Sequence, residues 1–145
     1  MAVSIRLWTE NDLPIIQAAE KKCFDDPWTE TMIKGEYARS DFFGLILESD
    51  GEFVGYLAAT VLFEDGEIPK IAVLPNFRGK GYGKALMEGA FSEFQVRGAE
   101  RVFLEVREGN IPAVRLYTGC GFETTRLRKR YYADGENALE MKKEL

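Results

Sequence analysis

Three glycines alternate within Pro75-Asn76-Phe77-Arg78-Gly79-Lys80-Gly81-Tyr82-Gly83-Lys84, between an apolar run and a helical pattern. Glycine lets a backbone curl closely around an anion, and free amides at the start of the next helix face that anion together. Two familiar phosphate motifs are excluded. A Walker A loop requires Gly-Lys-Ser/Thr, but Gly83-Lys84 continues to Ala85, and Arg78 occupies the place of its first glycine. A Rossmann fingerprint requires a third glycine or alanine where Leu86 stands. The chain contains no histidine, which removes Ser-His-Asp triads, Cys-His dyads and histidine-based zinc sites. Carboxylates, tyrosine, lysine, cysteine and the backbone are the remaining catalytic groups. Glu105, in Leu104-Glu105-Val106, points to the face opposite its apolar neighbours on a strand expected to be central. It either pairs with Arg107 on the same face, stands solvated, or acts as a base. Tyr117 follows Asn110 by seven residues, about two helical turns, so the two share a face of a short helix. A core tyrosine and an ordinary helix cap are the plain alternatives. Glu67 is either a second proton carrier or a solvated strand end beside Asp65. Cys23 and Cys120 lack the spacing of a zinc site or redox pair and read as reduced thiols.

Periodicity and turn residues give the elements that must position these groups. Residues 3–7 read as a strand, and Asp12 as the N-cap of a helix to about Cys23 with Pro14 in its first turn. Thr29 caps a second helix carrying Ile33 and Tyr37 on one face. Strands 42–48 and 53–63 form a hairpin around Ser49-Asp50-Gly51-Glu52, and a turn at Glu64-Asp65-Gly66 leads to strand 67–74. In 81–97, Leu86, Ala90, Phe91 and Phe94 recur at helical spacing, with Gly98 as the left-handed stop. A strand at 101–106 precedes a helix capped by Asn110, and strands 122–132 and 137–142 close a final hairpin. Arg126, Arg128 and Arg130 alternate along that hairpin and read as a solvated face. The order predicts a mixed α/β sheet protein, one domain over residues 1–145. With 46% hydrophobic and 30% charged residues, a chain this long hides roughly 70% of its surface without staples. A net charge of −5 repels phosphate backbones and suits a basic protein partner. No basic start leads into an apolar run, and no stretch approaches the length of a membrane span, so the expectation is cytoplasmic.

Arg78-Gly79-Lys80-Gly81-Tyr82-Gly83, directly after Ile71-Ala72-Val73-Leu74-Pro75, resembles the acetyl-CoA pyrophosphate loop of the Gcn5-related N-acetyltransferases (GNAT). The resemblance covers nearly the whole chain. Phe24-Asp25-Asp26-Pro27-Trp28-Thr29-Glu30, Gly55-Tyr56-Leu57, Leu104-Glu105-Val106-Arg107, Asn110, Leu116-Tyr117, Gly121-Phe122 and Tyr131-Tyr132 look like its RimI branch, the ribosomal-protein alanine N-acetyltransferases. This implies an α/β, GNAT-like fold: a central mixed, mostly antiparallel seven-stranded sheet with about four helices, splayed between the fourth and fifth strands. Pro69 either agrees with such a gap or marks a strand start. The resemblance further implies acetyl-CoA as cosubstrate and no metal. Its pyrophosphate would lie on Arg78, Gly79, Lys80, Gly81, Tyr82, Gly83 and Lys84, and its pantetheine arm along Ile71, Ala72 and Val73, one of whose amides binds the oxyanion. Glu105 is implied as general base, directly or through water, Tyr117 as proton donor to the CoA thiolate, and Asn110 as a cofactor contact. Phe24 to Trp28, with Tyr131 and Tyr132, would line the substrate mouth, ordinary core packing being the alternative for Trp28 and Tyr131. Lys70 departs from the pattern, standing where relatives often carry asparagine or another short polar residue.

The implied reaction is acetyl transfer to a protein N-terminal α-amine, foremost the alanine of a small-subunit ribosomal protein, by direct attack in a ternary complex. An α-amine is roughly 10–15% neutral at pH 7 and a lysine only about 0.04%, which favours the former by a few hundred-fold. Acetylation of a lysine or a small-molecule amine, and an acyl-CoA-binding sensor without turnover, remain open. The implied partner is a basic protein or peptide N-terminus, with no nucleic acid and no membrane, the enzyme being a monomer or weak dimer.

Overall fold

Asp50 and Gly51 both adopt positive φ, 53° and 81°, as a two-residue hairpin turn matching right-handed strand twist requires. They join β2 (Phe42–Ser49) to β3 (Glu52–Leu62) antiparallel, in a computed structural model that describes residues 2–145. β1 (Val3–Leu7) pairs with the outer edge of β2, and β4 (Asp65–Val73) returns along β3. The second half comprises β5 (Arg101–Arg107), β6 (Glu123–Arg128) and β7 (Ala138–Glu144), and the seven strands run in the order β1-β2-β3-β4-β5-β7-β6. Only β4 and β5 are parallel. The helices are α1 (Leu13–Cys23), α2 (Glu30–Tyr37), α3 (Tyr82–Val96) and α4 (Ile111–Gly119). This is the seven-stranded, four-helix sheet that the resemblance implied.

Alternation along the strands feeds two cores. Leu45, Leu47 and Leu57 pack with Leu86, Met87, Ala90 and Phe94 of α3, while Ile46, Tyr56 and Ala58 face Ile16, Ala19 and Ile33 of α1 and α2. Each large apolar side chain fully buried in this way contributes about 1.5–3 kcal/mol. No described helix is long and apolar enough to cross a membrane.

Four local expectations are corrected. Leu62 pairs with Asp65, so the β3–β4 turn is Phe63-Glu64 rather than Glu64-Asp65-Gly66, and Phe63 itself takes φ 57°. Gly66 serves packing instead, because a Cβ there would sit 2.5 Å from the Phe94 ring. β6 ends at Arg128, not at residue 132. Asn137 Oδ1 accepts from the Arg130 amide, and the Tyr132 amide donates to the Glu136 carbonyl. These local bonds replace the ladder, place Tyr131 and Tyr132 in a loop, and take Arg130 off the arginine stripe. Arg128 is also not simply solvated, since it forms ion pairs with Glu105 and Glu140. Asp12 stands at the start of α1 but makes no side-chain cap. Its carboxylate turns back to the Thr9 amide and hydroxyl and to Arg6.

What positions the site is a failure of pairing. Ala58 pairs with Lys70 and Thr60 with Glu67, so β4 carries one extra residue, a bulge at Ile68-Pro69 opposite Ala59. β4 pairs with β5 only from Asp65 to Glu67, opposite Arg101 to Phe103. Beyond Pro69, which has no amide to donate, the two strands part while β5 continues against β7.

Both Asp12 oxygens accept from Arg6 at 2.8 Å, and this guanidinium, with help from the Thr9 amide, holds the carboxyl at about 2, below its ordinary 3.8. A lowered folded value stabilises above the unfolded value and is lost as pH falls through the folded one. Asp12→Ala is therefore expected to cost about 1–2 kcal/mol at neutral pH after screening at the half-exposed Arg6. The deficit should vanish as pH falls from about 4 to 2, as urea titrations at several pH values will measure. A deficit unchanged by acid would assign it to packing.

Candidate active site

The unpaired edge of β4 forms one wall of a cavity of about 590 Å³. The Leu74 amide donates to Val54 of β3, and successive backbone groups of a strand alternate sides. Ile71 and Val73 therefore present their amides and carbonyls to the gap, whereas those of Ala72 face β3. The Val73 carbonyl already accepts from Arg78 Nε at 2.9 Å and lies 3.8 Å from Cys23 Sγ. The glycine loop forms the next wall. Gly79 and Gly81 take φ of 77° and 85°, which curls the chain into the N-terminus of α3, where the amides of Gly83 and Lys84 have no intrahelical acceptor. Gly83 serves a different purpose: a Cβ there would lie 3.2 Å from Leu116 of α4, so its absence lets the two helices converge on the cavity.

Ile71, Ala72, Val73, Arg78, Gly79, Gly81, Tyr82, Gly83, Lys84, Asn110 and Tyr117 all line this cavity, and Lys80 lies outside the lining. Tyr82 turns its ring into the core beside Phe77, with its hydroxyl on Ser49 Oγ. The side chain of Lys84 is 67% exposed, so that residue offers the cavity its backbone. Asn110 Oδ1 accepts from the Ala113 amide and thereby starts α4. Two turns on, Tyr117 is buried between its edge-on neighbour Phe122 and the cavity. Burial pushes its phenol well above the ordinary range, with smaller contributions from Tyr132 and Cys120. A phenol held neutral in this way keeps its O–H available as a hydrogen-bond donor. Burial likewise raises both cysteine thiols, the opposite of what an activated nucleophile needs.

A second cavity of about 500 Å³, lined by Glu67, Pro69, Glu105, Arg128, Tyr132 and Glu140 among others, lies on the β5 side of the opening. Leu104 and Val106 are buried, while Glu105 projects from the other face, its side chain 35% exposed. The Tyr131 hydroxyl donates to Glu105 Oε1 at 3.3 Å, and Arg128 Nε lies 3.2 Å from Oε2. A carboxylate has about four lone-pair sites, so acceptor capacity remains for an amine or a water. Arg107 does not pair with Glu105. It binds Asp134 and Glu136 and stacks over Tyr132 at 4.0 Å, fixing the β6–β7 loop.

One polar group here went unread in the sequence. Glu20 is fully buried, and its carboxylate accepts from the Tyr56 hydroxyl and from the Trp28 amide at 2.7 Å, with Lys70 Nζ 3.3 Å away. Lys70 Nζ also sits 3.7 Å over the Phe24 ring and 5.4 Å from that of Trp28. The α1–α2 loop is thereby tied to β3 and to the parting edge of β4. The available signal was a glutamate within the apolar stripe Ile16, Ala19, Cys23, where an unpaired carboxylate is too costly to bury.

A sheet opened between parallel fourth and fifth strands, with a glycine loop leading into the helix between them, defines the N-acetyltransferase class of fold. The acetyltransferase (GNAT) family profile matches residues 13–122, and the chain belongs to that family. It is 30% identical over 129 residues to the [ribosomal protein bS18]-alanine N-acetyltransferase of Salmonella typhimurium, covering 89% of this chain and 86% of the relative. It is 38% identical over 109 residues to an N-alpha-acetyltransferase of Sulfurisphaera tokodaii, covering 66% and 65%. Among solved structures, the ribosomal-protein-S18-alanine N-acetyltransferase of Escherichia coli superposes with a TM-score of 0.92 at 28% identity, covering 99% of this chain and 94% of that one.

Removing Glu20 leaves the Tyr56 hydroxyl and the Lys70 ammonium without their shared acceptor. Glu20→Ala is expected to lose about 3–5 kcal/mol in urea denaturation, as for other broken buried pairs, and Glu20→Gln less, since the amide oxygen still accepts. A loss below about 1 kcal/mol for the alanine variant would show that water replaces the carboxylate without cost.

Proposed function

We propose that residues 1–145 act as a single domain that transfers acetyl from acetyl-CoA to the N-terminal α-amine of a basic protein, foremost an N-terminal alanine of a small-subunit ribosomal protein. The observation that carries this reading is the pair of cavities flanking the β4–β5 opening, one holding a buried phenol, Tyr117, and the other a carboxylate, Glu105. The alanine N-acetyltransferase relatives support the choice of acceptor. We place the enzyme in the cytoplasm, as a monomer or weak dimer acting on neither nucleic acid nor membrane.

In this reading the amides of Gly83 and Lys84 at the start of α3, with Arg78 nearby, bind the pyrophosphate of the cosubstrate, and Asn110 holds the cofactor as it caps α4. The backbone groups of Ile71 and Val73 hold its pantetheine arm as an added strand would, and one of these amides donates to the oxyanion. Glu105 takes a proton from the attacking amine, directly or through a water. As the new C–N bond forms and the C–S bond breaks, Tyr117 gives its proton to the departing thiolate. The cavity lining suits such a thioester arm, with apolar Ile71, Val73, Pro112 and Leu116 beside the loop.

The test supplies acetyl-CoA with two peptides, one with a free N-terminal alanine and no lysine, the other N-blocked with an internal lysine, and follows thiol release and product mass. Acetylation of the first alone is expected. Acetylation of the second alone would move the acceptor to lysine, and no turnover with tight acetyl-CoA binding would favour a small-molecule acceptor or a sensor. Tyr117→Phe is expected to lower kcat by about 10²–10⁴-fold, the range of general acid–base catalysis, while the Kd for acetyl-CoA stays within about twofold. Unchanged kcat would remove Tyr117 from the proton transfer.

A further inference from the structure

The cavity that carries Glu105 continues past the foot of β4. Asp65 and Glu67 line it, and the same two residues line a further depression of about 430 Å³ with Asp41, Thr60, Phe63 and Glu64. Thr60 pairs with Glu67 and Leu62 with Asp65. By the period of two, Thr60 shares the sheet face of Tyr56 and Ala58, so the depression runs down that face to the β3–β4 turn. At the turn stands Phe63, 83% exposed and held at φ 57°. A bulky residue is a true outlier in the left-handed region, and glycine would serve this turn with less strain. The chain instead holds a phenyl ring out in water, next to the 63% exposed Leu62. The walls carry four carboxylates, Asp41, Glu64, Asp65 and Glu67, against one lining cation, Arg39, which also feels the charge of Glu67. Asp41 is engaged by Arg39 and Asp65 by Arg101, whereas neither Glu64 nor Glu67 has an ion-pair partner among the described residues.

We propose that this depression is a docking groove for the stretch of a basic protein substrate that follows its acetylated N-terminus, with Phe63 as the aromatic anchor. The proposal rests on the α-amine reading above. Continuity with the Glu105 cavity and the sign of the walls select this occupant: a cationic segment leaving Glu105 meets Glu67, then Glu64, then the ring. Asp65 pairs with Arg101, Glu105 lies four residues farther along, and Phe63 two residues in the other direction. The path is thus six strand residues, on the order of 20 Å. Substrate residues from about the sixth onward reach Phe63, and a tetrapeptide does not.

The experiment compares an alanine-headed tetrapeptide with a dodecapeptide of the same start carrying lysine and leucine from residue five, and with the dodecapeptide bearing glutamate in place of lysine. The lysine dodecapeptide is expected to have a KM about tenfold below that of the tetrapeptide. Phe63→Gly is expected to raise the dodecapeptide KM about three- to tenfold, the scale of losing an aromatic anchor, and to leave the tetrapeptide kcat and KM unchanged. Because glycine suits this φ, the variant should melt no lower than the parent. Equal effects on both peptides, no effect on either, or a glutamate dodecapeptide that binds as well as the lysine one would overturn the groove. So would a concentration-dependent dimer that Phe63→Gly abolishes without changing KM, since the ring would then serve self-association. Fluorescence anisotropy of labelled dodecapeptide reads the groove without turnover. Binding that depends on Phe63, with neither peptide acetylated, would sink the α-amine reading and leave the groove standing.

Discussion

The molecule is organised by hydrogen bonds that β4 does not make. One extra residue at Ile68-Pro69, with a proline that has no amide, ends the β4–β5 ladder after Glu67 and Phe103. Backbone groups left unpaired inside a protein are costly, so a gap of this kind persists only where something else satisfies them. In the free chain Arg78 and Cys23 partly serve the Val73 carbonyl. An extended ligand lying along Ile71 and Val73 would complete the ladder, which is why the gap is chemically a strand-shaped site rather than a defect.

An opening in a sheet must be held open, and two loops do so with buried or semi-buried charge. On one side Glu20 gathers Tyr56, Trp28 and Lys70 from three separate segments. On the other, Arg107 bonds Asp134 and Glu136 and lies over Tyr132, while Arg128 joins Glu105 to Glu140. These pairs differ in energetic weight. The Arg107 and Arg128 pairs are about one-third exposed on the arginine side and solvent screens them, so they orient more than they stabilise. Glu20 is fully buried, and its three partners are what make its burial tolerable.

Where the sequence carried local signals, it was legible. Asp50-Gly51, Thr29, Asn110, Gly81 and Gly98 each mark a backbone event that depends on one or two residues, and the structure has each where its chemistry predicts. The misreadings share a cause. Gly66 looked like a turn residue because glycine usually marks one, but it is required by a Phe94 ring arriving from a distant helix. The strand propensity of Tyr131 and Tyr132 lengthens the expected last hairpin, but tertiary and local bonds override it. The Glu20 network was invisible for the same reason: a buried carboxylate is explained only by partners 8, 36 and 50 residues away. The glycine loop and the face that Glu105 takes on β5 follow from local pattern, whereas Tyr117 is singled out by the family resemblance, and the distribution of the two on opposite sides of one opening is a property of the splay.

That distribution separates two electrostatic tasks. The wall beside α3 offers amides at a helix N-terminus, with Arg78 adjoining, a field suited to a pyrophosphate. The β5 side is dominated by carboxylates, with Glu67, Glu105 and Glu140 against Arg128, a field that draws in an ammonium group. A cationic amine must nevertheless lose its proton before it can attack, so in the proposed reaction the acidic side would attract the acceptor and Glu105 would take that proton. Tyr117 lies beside Phe122 on the α3 side of the opening, where burial keeps it protonated. Burial raises the Tyr117 phenol, while Glu105 stands one-third exposed beside Arg128 and Tyr131, so the two candidate proton carriers occupy unlike environments on opposite sides of the strand gap, without a histidine.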